Sequence, residues 1–216
     1  MTDSFSKGIA FIVEGDTEKE FYLSLLAFLC QKHSAYLERY IISSETDIVY
    51  KIISDAGCIL VKFNVVGTIT QIPHSGKWFN TQCVDKYGNK HGWVVFLCYD
   101  TDDYKNDISK FYKGDWATLR TLLKKATAII DIAAATDIEA IMLQDLAGIC
   151  RYLGCGIPSG IHGRKGKVKI KNIFRDNGQT YHEGKRARKL IDTLNMQKII
   201  DSEIVPLLTI EHIIFG

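Results

Sequence analysis

Apolar positions fall into short continuous runs separated by stretches with helical spacing. Residues 8–13 (GIAFIV) are rich in β-branched and aromatic side chains, and from Asp16 onward Phe21, Leu25, Phe28 and Leu29 recur at helical intervals, predicting a strand followed by a helix. Thr17 and Glu20 have the spacing of a capping box, which sets the helix start within a residue or two of Thr17. A short helix near 46–56 and a strand at 58–66 (CILVKFNVV) come next. Pro73, Gly76, Gly88 and Gly92 punctuate residues 67–92 around a helix near 77–86. Then WVVFLCY at 93–99 has the pattern of a strand buried on both faces. A helix at about 115–126, a strand at about 128–133 and a largely apolar helix at 137–153 complete the series. Buried strands separated by helices predict an α/β fold with a mainly parallel central sheet flanked by helices.

Past Gly154 the character changes. Glycines at 154, 156, 160, 163 and 166 break up a basic segment, and 184–195 and 197–215 have the pattern of short helices. Lys165, Lys167, Lys169 and Lys171 alternate with Gly166, Val168 and Ile170, so an extended conformation would set four ammonium groups along one face. The expected organisation is a core over 1–154, with the basic loop and C-terminal helices of 155–216 packed on the same domain. A basic insertion of some 30 residues is too short to hold a core of its own.

Charge follows this division. The 216 residues carry 27 Lys and Arg against 25 Asp and Glu, a net charge of +2. Ten of those bases and only two acids lie in 157–189, a local charge of +8 that leaves −6 for the rest. The 46% hydrophobic content excludes a disordered chain. The polar start MTDSFSKG lacks a signal-peptide pattern, and no apolar run has the length of a membrane span, so a cytoplasmic location with no membrane partner is expected. Cys30, Cys58, Cys83, Cys98, Cys150 and Cys155 contain no CxxC pair and predict reduced, mostly buried thiols. Residues 160–168 miss the spacing of a phosphate-binding P-loop and have Val168 where Ser or Thr is required, while 154–160 misses GxGxxG by one residue.

Ligands of a parallel α/β sheet gather at the carboxyl ends of the strands. Glu14 closes the first strand and Asp100 the 93–99 strand, and Asp102 points the same way as Asp100 if the backbone stays extended. Such carboxylates repel one another unless a cation joins them, which makes them candidate oxygen ligands of a divalent metal. An acid at Glu18 is favoured by the helix N-terminus in any case.

VEGDTE at 13–18, the apolar strand ending in Asp100-Thr101-Asp102, and Asp137-Ile138-Glu139 opening an apolar helix together resemble a Toprim domain. Within that superfamily the Glu-Gly-x-Thr-Glu form is similar to the OLD-family nucleases and the RloB-like abortive-infection proteins. The resemblance implies a Rossmann-like Toprim fold, with Glu14 as general acid/base or metal ligand and Asp100 and Asp102 binding one or two Mg²⁺ or Mn²⁺ ions. It further implies Glu18 at a second metal and Glu139 as the acid of the family's helix motif, although IEAIMLQD departs from the usual tryptophan-containing pattern.

The expected function is then metal-dependent phosphodiester hydrolysis of RNA, such as transfer RNA, or DNA, in an anti-phage, abortive-infection defence role. Arg164, Lys165, Lys167, Lys169, Lys171, Arg175, Lys185 and Arg186 would hold the nucleic acid, with Tyr181 and His182 between the two basic clusters. A separate ATPase and a second copy of the chain are the other expected partners. The alternatives are a non-catalytic Toprim-like module that binds nucleic acid or a partner, and a small RNA-processing nuclease.

Overall fold

A computed structural model describes residues 5–42, 48–67, 71–101 and 107–216. The chain runs through β1 (Lys7–Val13), α1 (Asp16–Lys32), β2 (Tyr36–Ile41), β3 (Ile48–Ser54), β4 (Gly57–Val65) and α2 (Ile72–Phe79). A π turn at Asn80–Val84 carries α2 into α3 (Asp85–Tyr87), which precedes β5 (Trp93–Asp100). Next come α4 (Gly114–Leu122), β6 (Ala128–Ala134), α5 (Ile138–Met142) and, past a 3-10 turn, α6 (Leu146–Leu153). The last third holds α7 (Gly166–Asp176), α8 (Arg188–Ile191), α9 (Met196–Asp201) and α10 (Leu207–Phe215).

The six strands form one sheet in the order β2-β3-β4-β1-β5-β6. The four strands β4, β1, β5 and β6 are parallel, whereas β2 and β3 pair antiparallel at one side. This is the mixed α/β architecture, with a mostly parallel central sheet flanked by helices, that the run pattern predicts. Period-2 geometry divides β1 between two cores. Ile9, Phe11 and Val13 face a cluster with Phe21, Leu25 and Leu29 of α1 and the C-terminal helices, while Ala10 and Ile12 face one with Phe79 of α2 and Leu119 of α4. Because both faces are covered, β1 and β5 read as unbroken apolar runs.

Register places aromatics side by side. Phe11 lies opposite both Phe63 and Phe96, with ring centroids 4.8 and 5.0 Å away, so three neighbouring strands share one aromatic row. Each such ring contributes roughly 1.5–3 kcal/mol by burial. On the opposite face Trp93 lies so close to β1 that a Cβ at Gly8 would come within 2.4 Å of its ring.

Four segments depart from the predicted elements, the first being β2, a strand where none was expected. Residues 46–56 were expected as a helix, but 48–54 form the strand β3, in which Ile48, Val49, Ile52 and Ile53 favour the pleated sheet through their β-branched side chains. The apolar helix expected over 137–153 is broken by the 3-10 turn Leu143–Asp145. The alternating lysines are helical rather than extended. Ile170, Ile173 and Phe174 are spaced at i, i+3 and i+4 and pack into the same core as Ile9 and Phe11, so apolar burial sets the conformation and the lysines are scattered around α7.

All six cysteines are free, and Cys30, Cys83, Cys98 and Cys150 are buried. No helix among the described residues is long and apolar enough to cross a membrane.

Candidate functional site

The chain leaves β1 and β5 in opposite directions. α1 follows β1 onto one face of the sheet, and α4 follows β5 onto the other. The carboxyl ends of these adjacent parallel strands therefore form the switch point of the sheet, where a crevice opens for want of a covering connection.

Glu14 and Asp100 meet across that point. The Asp100 N–H donates to Glu14 Oε1 at 3.0 Å. Burial, followed by the charges of Glu18, Glu14, Asp137 and Glu139, pushes the Asp100 carboxyl up to about 9, so it carries a proton at neutral pH.

Glu18 lies one helical turn above Glu14. Gly15 is the N-cap of α1, in extended backbone, and Glu18 is the third residue of the helix. Its carboxylate folds back over Gly15 and accepts from the Gly15 N–H and from its own, while burial raises its pKa. A Cβ at Gly15 would lie 2.8 Å from Glu18 Oε2, so glycine makes room for this fold-back. The capping box expected from Thr17 and Glu20 is thus shifted by two residues. Thr17 Oγ1 accepts instead from the Gly184 N–H at 2.7 Å, and Glu20 pairs with Arg188 at 3.2 Å, so both tie α1 to the C-terminal third.

The third side of the site comes from α5 and α7. Asp137 caps α5 by accepting from the Ala140 N–H at 2.9 Å, and its other oxygen accepts from the Lys167 N–H at 3.1 Å. Helix α7 approaches closely because residue 166 is glycine: a Cβ there would fall 2.2 Å from both Ala140 N and Asp137 Oδ1. Glu139 is buried and accepts from the Tyr181 hydroxyl at 3.0 Å. Burial raises its carboxyl to about 7, against the opposing effects of Lys167 and Tyr181. Lys167 loses solvation by burial, but Glu183, Glu139 and Glu18 more than offset this and raise its pKa. A single ammonium group thereby serves several carboxylates.

Beside Glu14 lies a cavity of about 220 Å³ walled by Ile12, Val66, Ile72, Cys98 and Trp116. Trp116 packs edge-on against Tyr99 and Phe111, both at 4.9 Å. The cavity is therefore apolar and aromatic, with Glu14 as its charged group.

The structure brings together Glu14, Glu18, Asp100 and Glu139 of the expected site, while Asp102 lies outside the described residues. Sequence reasoning gave no role to Asp137 or Trp116 and missed the Tyr181 hydrogen bond and the Lys167 charge that act on Glu139. Of these, only Asp137 left a local signal, an acid placed as N-cap before the apolar positions of α5.

The expected metal is corrected by the donor geometry. Among the described residues no three His, Cys, Asp or Glu side chains are grouped to hold an ion. Glu18 is turned onto the amides of its own helix, Glu139 onto Tyr181 and Asp137 onto two backbone N–H groups. These carboxylates share a field without sharing a coordination point, so the expected Mg²⁺ or Mn²⁺ site is not formed among the described residues. The lysines expected on one extended face lie on and beside the helix α7 instead, and some are ion-paired. Lys167 and Lys171 both close on Glu183, at 2.9 and 2.8 Å, Arg175 pairs with Asp176, and Lys165 stands at the N-cap of α7. Arg164, Lys185 and Arg186 are exposed and Lys169 half-buried.

Neither a family model nor a curated protein matches the chain. Among solved structures it is similar to the 5′-methylthioadenosine/S-adenosyl homocysteine nucleosidase of Campylobacter jejuni, at 11% identity over 95% of this chain and 99% of that one, with a TM-score of 0.29. A futalosine hydrolase mutant of Helicobacter pylori strain 26695 gives 9% identity over 92% and 98%, also at 0.29. The Helicobacter pylori 5′-methylthioadenosine/S-adenosyl homocysteine nucleosidase gives 9% over 97% and 99%, again at 0.29. Likenesses this weak carry no inference of activity. With no family model matching, the expected Toprim membership is corrected, together with the metal-dependent phosphodiester nuclease and the antiviral, abortive-infection role that followed from it. What stands is a mixed α/β chain with a carboxylate-rich switch point beside an apolar cavity.

Proposed function

We propose that the chain is a hydrolase that cleaves the glycosidic bond of a small, ring-bearing, uncharged substrate, with Asp100 as general acid and Glu14 as general base. The observation that carries this reading is the bond from the Asp100 backbone N–H to Glu14, which brings two carboxyl-bearing residues together where Glu14 lines a cavity, with burial and acidic neighbours raising the Asp100 carboxyl to about 9. Two carboxyl groups whose environments separate their roles are the recurring apparatus of glycoside hydrolysis.

The surroundings support the same substrate class. A volume of about 220 Å³ suits one ring system, and Trp116 offers an aromatic surface to it. Glu14, Glu18, Asp137 and Glu139 place a negative field over the site that repels a phosphate and favours the positive charge developing at an anomeric carbon. In the reaction Asp100 gives its proton to the leaving oxygen or nitrogen as the bond to the anomeric carbon breaks. Glu14 takes a proton from the water that attacks that carbon, so the products are the free sugar and the protonated leaving group. Burial and the neighbouring acids keep the proton on Asp100 until the leaving group accepts it.

The test is turnover of a panel of nucleosides and aryl glycosides, read by release of free base or phenol, with wild type beside Asp100→Asn and Glu14→Gln. Cleavage of at least one substrate, reduced about 10²–10⁴-fold in each variant at unchanged circular dichroism, supports the reading. A panel left uncleaved, or turnover that survives both substitutions, overturns it.

A further inference from the structure

Outside the carboxylate site, the end of α6 brings two thiols together. Gly154 adopts the left-handed conformation at φ 70°, the Gly154 N–H donates to Arg151 O at 3.2 Å, and the Cys155 N–H donates to Cys150 O at 3.0 Å. This pair of bonds is a Schellman motif, in which the side chains of the two residues joined by the outer bond meet over the helix end. In this chain both are cysteines. The Cys155 N–H bond to Cys150 O holds the two backbones in contact, and a disulfide accepts Cα separations of roughly 4.4–6.8 Å. Burial, followed by the neighbouring Cys155 thiol, raises the pKa of Cys150. Cys150 is buried and Cys155 is half-buried at the start of the segment leading to α7, so one sulfur is reachable from solvent and the other waits behind it.

We propose that Cys150 and Cys155 are a redox-modification site, a dithiol that a hydroperoxide converts reversibly into a disulfide across the C-terminus of α6. The Cys155 thiolate attacks one peroxide oxygen; the O–O bond breaks, the other oxygen leaves as alcohol or water, and Cys155 becomes a sulfenic acid. The Cys150 sulfur then attacks the Cys155 sulfur. The S–S bond forms, the S–O bond breaks, and the hydroxyl leaves as water with the thiol proton. Two electrons pass from the two sulfurs to the peroxide. Cys30, Cys83 and Cys98 are internal comparisons, since each is buried in one of the two cores.

Hydrogen peroxide added to the folded full-length chain, followed by alkylation and mass mapping, tests this. Expected are a mass loss of about 2 Da and protection of two of the six cysteines from alkylation. Trypsin cuts after Arg151, so the disulfide should hold together the peptides on either side of that cut, and dithiothreitol should release them. In Cys150→Ser, Cys155 should stop at the sulfenic acid and be captured by dimedone. Oxidised wild type whose Cys150 and Cys155 both remain alkylable overturns the proposal, as does Cys155 oxidised to the sulfinic acid without linkage, or a disulfide to another cysteine. Mapping of the wild-type chain decides the matter even if Cys150→Ser fails to fold.

Discussion

The Asp100 N–H donates to Glu14 Oε1 at 3.0 Å, joining the ends of two adjacent parallel strands across 86 positions of sequence. The bond holds a carboxylate beside a carboxyl group that burial and four acidic neighbours keep protonated up to about pH 9. Its stability consequence has a definite sign. The unfolded chain releases the Asp100 proton near its ordinary value while the folded chain retains it, so the contribution to stability declines as pH rises from about 4 and levels off above about 9. Asp100→Asn should flatten that decline and exceed wild type in urea midpoint at pH 9, while at pH 4 the two should be close. An unchanged pH slope would show that Asp100 titrates normally.

Glu139 offers a direct titration. Its carboxyl should titrate at about 7, observable by carbon-detected NMR of labelled glutamate. The Tyr181 hydroxyl donates to the charged form at 3.0 Å and lowers the value against burial. Tyr181→Phe should therefore move the midpoint upward and cost about 1 kcal/mol of stability from the lost hydrogen bond. A downward movement would contradict the donor role.

The close approach of α7 to α5 predicts the outcome at Gly166. A Cβ there would meet Ala140 N and Asp137 Oδ1 at 2.2 Å, both on the cap of α5 and neither at the end of a flexible chain. Gly166→Ala should destabilise the protein by about 1–3 kcal/mol in urea unfolding, despite the better helix propensity of alanine. Gly156→Ala, where nothing lies within 4 Å, is the neutral comparison.

Asp145 should govern part of the acid limb. It is buried, and burial disfavours its charge, but the Asn195 N–H at 2.9 Å and Lys198 Nζ at 3.2 Å outweigh burial and lower its pKa. A depressed acid contributes stability that is present above its unfolded value and lost as pH falls through the folded one. Asp145→Asn should be less stable than wild type at pH 7 by about 1–3 kcal/mol and should lose less on going to pH 3. Equal losses in both would assign the acid sensitivity elsewhere.

Burial made the sheet legible: GIAFIV and WVVFLCY are apolar throughout because helices cover both faces, and their terminal acids mark the switch point directly. The lysines at 165–171 misled because charge alternated with period 2, while the signal that decided the conformation was the i, i+3, i+4 spacing of Ile170, Ile173 and Phe174. At 48–54 the β-branched residues outweighed a helical reading of a short segment. The contact of Tyr181 with Glu139 spans 42 positions and that of Thr17 with Gly184 spans 167, and neither has a local pattern to betray it. The metal expectation failed for a similar reason. Which carboxylate oxygens were already taken by backbone N–H groups depends on tertiary packing, not on the spacing of acids in the chain.

The strap from the C-terminal third onto α1, through Gly184 to Thr17 and Arg188 to Glu20, bears on how the molecule is made. A ribosome-bound chain exposed only as far as α6 already contains Glu14, Glu18, Asp100, Asp137 and Glu139, but neither Lys167 nor Tyr181. Without them Glu18 and Glu139 lack the charge of Lys167 and Glu139 lacks its hydrogen bond from Tyr181, which weakens docking of α1 and α5 onto the nascent sheet. The body should therefore close only after residues beyond 188 have emerged, so that a core with the pattern of a self-sufficient fold over 1–154 would be completed late, together with the helices that follow it.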